Sequence, residues 1–91
     1  MDLPQVIVFH SGLVLVSVIG QIACDVGEPD CKLIRPFEII YNDLGFTLRP
    51  WLSEYTIQDY RMVHSDKILT LIPPRDEITL KYRSLIESYN H

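Results

Sequence analysis

From Gln5 onward the chain alternates short apolar runs with small polar breaks, and the breaks carry turn chemistry. The first run, Gln5 to His10, is rich in Val, Ile and Phe and ends at His10-Ser11-Gly12, where Gly is free to take a positive φ. A second strand is predicted from Leu13 to about Cys24, with Gly20 as the point where it bends or bulges. Asp25-Val26-Gly27-Glu28-Pro29-Asp30 then reads as a turn, with three acids, Gly and Pro between apolar runs. Strand chemistry resumes over Lys32 to Tyr41, and Asn42-Asp43-Leu44-Gly45 is the next turn. Phe46 starts a return strand predicted to continue to Val63, with a bend near Pro50 to Ser53. His64-Ser65-Asp66 links it to a fifth strand, Lys67 to Ile72, which ends at Pro73-Pro74 because proline cannot donate a ladder hydrogen bond.

Beyond the prolines the period changes. Ile78, Tyr82, Leu85, Ile86 and Tyr89 recur at three- and four-residue steps, which predicts an amphipathic helix from Asp76 to about Tyr89. Asp76 and Glu77 suit its positive end. The predicted fold class is therefore mostly β: one domain over residues 1–91, with a small, strongly bent five-stranded barrel over 5–74 and a C-terminal helix over 76–89 capping one opening. A chain of 91 residues buries a modest share of its surface, so self-association would add to its stability.

Composition narrows the function. Apolar residues at 47% and charged residues at 22% describe a chain able to fold, and a net charge of -4 gives no broad attraction to nucleic acid. The most apolar stretch, Val6 to Cys24, is interrupted by His10-Ser11-Gly12, Ser17 and Gly20-Gln21, and no base precedes it. It is read as two buried strands in a cytoplasmic protein, a membrane-associated protein being the alternative. Cys24 and Cys31 are expected to be reduced thiols, with a cross-link between them as the other option, and no metal-ligand spacing or cofactor motif is present. No Ser-His-Asp or Cys-His arrangement, carboxylate pair or Gly-rich phosphate loop points to an enzyme.

The segment Val63-His64-Ser65-Asp66-Lys67-Ile68-Leu69-Thr70-Leu71-Ile72-Pro73 resembles the second signature motif of the Sm-like family, which includes the bacterial host-factor RNA chaperone. Phe9-His10-Ser11-Gly12-Leu13-Val14-Leu15-Val16-Ser17 resembles the first. The resemblance implies an SH3-like barrel whose fourth strand pairs with the fifth strand of the next subunit. Its products would be a homo-oligomeric ring of roughly five to eight subunits and the binding of short single-stranded RNA at the pore, or an RNA-chaperone-like scaffold. His64 takes the position of the pore-facing Arg, Asp66 that of a turn-forming acid, Lys67 adds a charge and Lys32 falls near the pocket Asn, so these four are the expected RNA-binding residues. The departures, Ser17 for Gly and His64-Ser65 for Arg-Gly, point to the alternative of a structural or protein-interaction ring that has lost RNA binding.

Read from the residues alone, His64 could equally be an exposed turn histidine and Lys67 a solvated charge. Arg35-Pro36-Phe37 and Arg49-Pro50-Trp51 echo one another, and the Asn42 to Gly45 turn would set Arg49 near Glu38 and Arg35 near Trp51. Either an Arg and a ring sandwich a base there, or each Pro marks an edge or bulge. Tyr41, Tyr55 and Tyr60 are pore aromatics or ordinary strand tyrosines.

Overall fold

The computed structural model describes residues 3–21, 27 and 29–89. Six strands, one short 3-10 turn and one helix follow in order: β1 (Gln5–Phe9), β2 (Val14–Gln21), β3 (Cys31–Asn42), β4 (Gly45–Pro50), β5 (Tyr60–Val63), the turn (Ser65–Lys67), β6 (Ile68–Ile72) and α1 (Asp76–Tyr89). All pairings are antiparallel, and the ladder runs β4-β3-β2-β1-β6, with β5 paired to the first half of β3. β4 and β6 end this path without meeting, so the sheet is open in place of the expected closed barrel.

The turns follow local chemistry. Gly12 at φ +95 donates its amide to the Phe9 carbonyl (2.9 Å) between β1 and β2. Asn42 Oδ1 accepts the Leu44 amide (2.9 Å), and Gly45 at φ +130 completes the β3–β4 hairpin. Cys24 and the extension of β2 towards it lie outside the described residues, as do Asp25 and Glu28.

The sheet bends at Ser17 and Arg35-Pro36, and Gly20, the expected bend, sits in regular register with Lys32. Val16 pairs with Phe37 and Val18 with Ile34, so Ser17 faces two residues of β3. Arg35 adopts φ 52, a left-handed conformation uncommon for a side-chain-bearing residue, and Pro36 has no amide to donate. Two buried hydroxyls occupy the broken ladder. Ser17 Oγ lies 2.9 Å from the carbonyls of both Val18 and Ile34. The Tyr82 hydroxyl of α1 lies 3.1 Å from the Ile34 carbonyl and 2.9 Å from that of Arg35, and it accepts the Val18 amide at 3.3 Å. A hydroxyl carries one proton, so each is shared between two acceptors.

The predicted single strand from Phe46 to Val63 is two strands, which makes six among the described residues in place of the expected five. Pro50 ends β4, Leu52 takes φ 63, and Arg61 holds the intervening turn together. Its Nε donates to the Trp51 carbonyl (3.1 Å), and its terminal nitrogen donates to those of Gln58 (2.6 Å) and Tyr60 (2.8 Å). The Arg35 amide donates to the Asp59 carbonyl (2.6 Å) and the Trp51 amide to that of Pro36 (3.0 Å), tying the turn to the bend of β3.

Strand alternation produces two cores. Val6, Val16, Phe37, Ile39 and Leu48 face α1 and pack with Ile78 and Tyr82, while Ile7, Phe9, Leu15, Cys31 and Leu33 form the other core inside the curl of the sheet. The helix matches the predicted Asp76–Tyr89 span but covers a sheet face. Its start is set by the Arg75 carbonyl, which accepts the amides of Ile78 (3.0 Å) and Thr79 (3.1 Å) just after Pro73-Pro74.

Tyr82 is 1% exposed and its ring meets Phe37 edge-on (centroids 5.7 Å), so Tyr82→Phe keeps the packing and removes the hydroxyl's bonds to the Val18 amide and to the Ile34 and Arg35 carbonyls. An unsatisfied buried group costs about 1–3 kcal/mol. We expect Tyr82→Phe to fold and to melt roughly 5–15 °C lower in a circular-dichroism melt; an unchanged Tm would show that the hydroxyl carries no weight.

Candidate interaction surface

The outer edge of β6 exposes three apolar side chains in a short run. Leu69, Leu71 and Ile72 are 59%, 48% and 45% exposed, and no described strand pairs beyond them. β6 is uncharged, and a register shift opposite Val8/Phe9 leaves Leu69 as an extra residue. The other free edge, β4, is built differently. Thr47 and Arg49 are exposed on it, Pro50 ends it, and Arg49 bonds Glu38 across the hairpin (2.9 Å), the neighbour predicted from the turn. A charge and a proline discourage further strand pairing at β4, whereas β6 carries neither, its one irregularity being the bulge at Leu69.

Beside β6 on the helix face lies a groove of about 290 Å³, lined among others by Val6, Val8, Ile39, Tyr41, Ile72 and Ile78. Ile72 belongs to both features, because it pairs directly with Val6 and shares its face. A second cleft, of about 440 Å³, lies under the Trp51–Asp59 turn between Arg35, Arg61, Phe37 and Ile86. Its two guanidiniums are engaged: Arg61 holds backbone carbonyls, and Arg35 lies 3.9 Å from Asp59.

Three of the four expected RNA-binding residues fall in one turn. His64 precedes the 3-10 turn and is half-buried, while Asp66 and Lys67 within it are exposed. The turn closes through the Lys67 amide on the His64 carbonyl (3.1 Å) and is joined to β1 by the His10 amide on the Lys67 carbonyl (3.0 Å). Lys32 is turned elsewhere: its ammonium lies 4.6 Å from the centroid of Tyr60, so that ring face is already occupied. Trp51 packs in the second core beside Phe9 (6.1 Å), and Arg35 pairs with Asp59, so the echoed Arg-Pro-aromatic tripeptides build a bend and an edge.

In the sequence Asp30 is only one acid of a turn, yet in the fold it anchors this site. Its carboxylate accepts the Ser65 amide (2.8 Å) and the Ser65 hydroxyl (2.7 Å), fastening the start of β3 to the turn before β6. These two hydrogen bonds hold its pKa below the ordinary Asp value of 3.8. The neighbouring Cys31 is a buried free thiol, pushed up by burial and by the Asp30 charge, which makes it a poor nucleophile. No sequence signal marked the Asp30–Ser65 pair, since 35 residues separate them. Among the described residues no helix is long and apolar enough to cross a membrane.

The profile of a family of unknown function, DUF6561, matches residues 3–87, and no curated protein matches the chain. This overturns the Sm-like resemblance: the family found along nearly the whole chain is a different one, and no Sm-like family is found. The physical counterpart is in the turn itself. Where the Sm-like motif has Arg-Gly, Ser65 is tied to a carboxylate, which places negative charge where an RNA phosphate would need positive.

A carboxyl with a lowered folded pKa contributes its bonds above the ordinary carboxylate range and loses them as pH falls through the lowered value. The Asp30–Ser65 clamp is therefore intact at neutral pH and opens as pH falls through that lowered value. In an amide-shift titration we expect Ser65 to move with a midpoint below 3.8, the ordinary Asp value. Asp30→Asn should remove that transition; a midpoint at or above the ordinary value would mean the clamp is absent in solution.

Proposed function

The chain belongs to the DUF6561 family, whose function is unknown, and we propose from its geometry that it is a non-catalytic protein-interaction module working through the free edge of β6. The observation that carries this reading is the exposure of Leu69, Leu71 and Ile72 on an unpaired, uncharged strand. An added strand would satisfy the outward amides and carbonyls of β6 and cover those side chains. The adjoining groove would take one side chain of the incoming segment and so select among partners. The opposite edge has the charge and proline that prevent indiscriminate pairing, which suits a module with one working side.

The bend elsewhere supports this role. Tyr82 and Ser17 hold β2 and β3 in a fixed curl, and β1, packed on both faces, presents β6 as a rigid edge. A preformed edge spares a partner the cost of ordering it.

The test uses short extended peptides alternating Ile, Leu or Val with Thr, titrated into isotope-labelled protein. We expect shift changes confined to residues 68–72 and the groove, and slower amide exchange along β6. Leu71→Lys should weaken the binding at least ~10-fold, about 1.4 kcal/mol, and Thr47→Lys on β4 should leave it unchanged. Peptides at millimolar concentration that leave β6 unmoved would overturn the reading.

A further inference from the structure

We infer that the partner of β6 is a second copy of this chain, paired antiparallel about Thr70 in a two-fold dimer; the inference rests on the proposed working edge. β6 reads Ile68-Leu69-Thr70-Leu71-Ile72, the same in both directions. A two-fold interface requires that whatever residue i meets on the copy, that residue meets i in return. Antiparallel pairing centred on Thr70 satisfies this with Thr70 opposite Thr70 and Leu69 opposite Leu71, while Ile68, on the far side of the bulge, packs on the second core. Apolar pairs and a Thr pair are both favourable across strands.

The flanks agree with the register. Pairing about Thr70 sets Lys67 opposite Pro73 and Asp66 opposite Pro74, so both prolines fall outside the paired strands. Moving the centre by one residue, to Leu71, would set Pro73 opposite Leu69 and lose both the palindrome and a backbone donor. Head-to-tail pairing of β6 on β4 would instead meet Arg49 and Pro50.

The axis of such a pair stands perpendicular to the sheet, so both helices lie on one side. One continuous sheet would run from β4 of one copy to β4 of the other. Five residues a side, one of them a bulge, make a short seam, so the dimer is weak and dependent on concentration.

Light scattering on the eluting protein across a dilution series should show mass rising from monomer to dimer and no further. Under mild oxidation the Thr70→Cys variant should form a disulfide between the two copies at that position, identified by peptide mapping. Leu69→Cys should link to Leu71→Cys when the two variants are mixed and should not link to itself. A monomer at all concentrations, growth past a dimer, or a dimer whose introduced thiols link in another pattern would overturn the inference. Because the peptide titration of β6 is read separately, a monomer whose β6 still takes peptides would sink the dimer and leave the interaction module standing. Loss of both would sink the two together.

Discussion

The fold turns on a phenol hydroxyl that mends a broken ladder. Besides β2 on one edge, β3 serves two partners on the other: its first half pairs with β5 and its second with β4. The two meet β3 on either side of the bend at Arg35-Pro36, and the carbonyls of Ile34 and Arg35 and the Val18 amide lie at that irregularity. Tyr82 reaches all three from the helix, and buried Ser17 shares the Ile34 carbonyl. Without them the bend would bury unsatisfied polar groups, at a cost comparable to a sizeable share of a small domain's stability. The helix thus closes the sheet's weak point as well as covering its face.

That arrangement decides what the surface can offer. With β2 and β3 curled, the second core closes around Ile7, Leu15 and Leu33, and β1 is packed on both sides. β6 hangs on β1 as the last strand of the ladder, with apolar side chains and no guarding charge. β4, the other end, carries Arg49 and Pro50. The two edges of the same sheet therefore differ in kind, and the asymmetry directs association to one of them.

The turn before β6 is a structural joint. Asp30 fastens Ser65, and the Lys67 carbonyl receives His10, so β1, β3 and β6 meet at one corner. His64, Asp66 and Lys67 share that corner, while Lys32 covers Tyr60. The corner sets the entry of β6 onto the sheet, and hence the attitude of the edge proposed to pair.

The sequence by itself determined the elements that depend on neighbours in the chain. Helix α1 was legible to its ends because period, first-turn acids and the preceding prolines are all local, and Gly12 and Gly45 marked their turns by conformational freedom alone. Arg49 opposite Glu38 followed from counting back through a short turn. What joins distant segments was not legible. The bend at Ser17 and Arg35, the split of β4 from β5 by Arg61 and the Asp30–Ser65 clamp pair groups that no local pattern relates, and the apolar run of β6 read the same whether its edge was covered or bare. Only the tertiary structure decided these, because hydrogen bonding of a broken ladder and exposure of an edge depend on which strands arrive beside it, and that is set by packing across the whole chain.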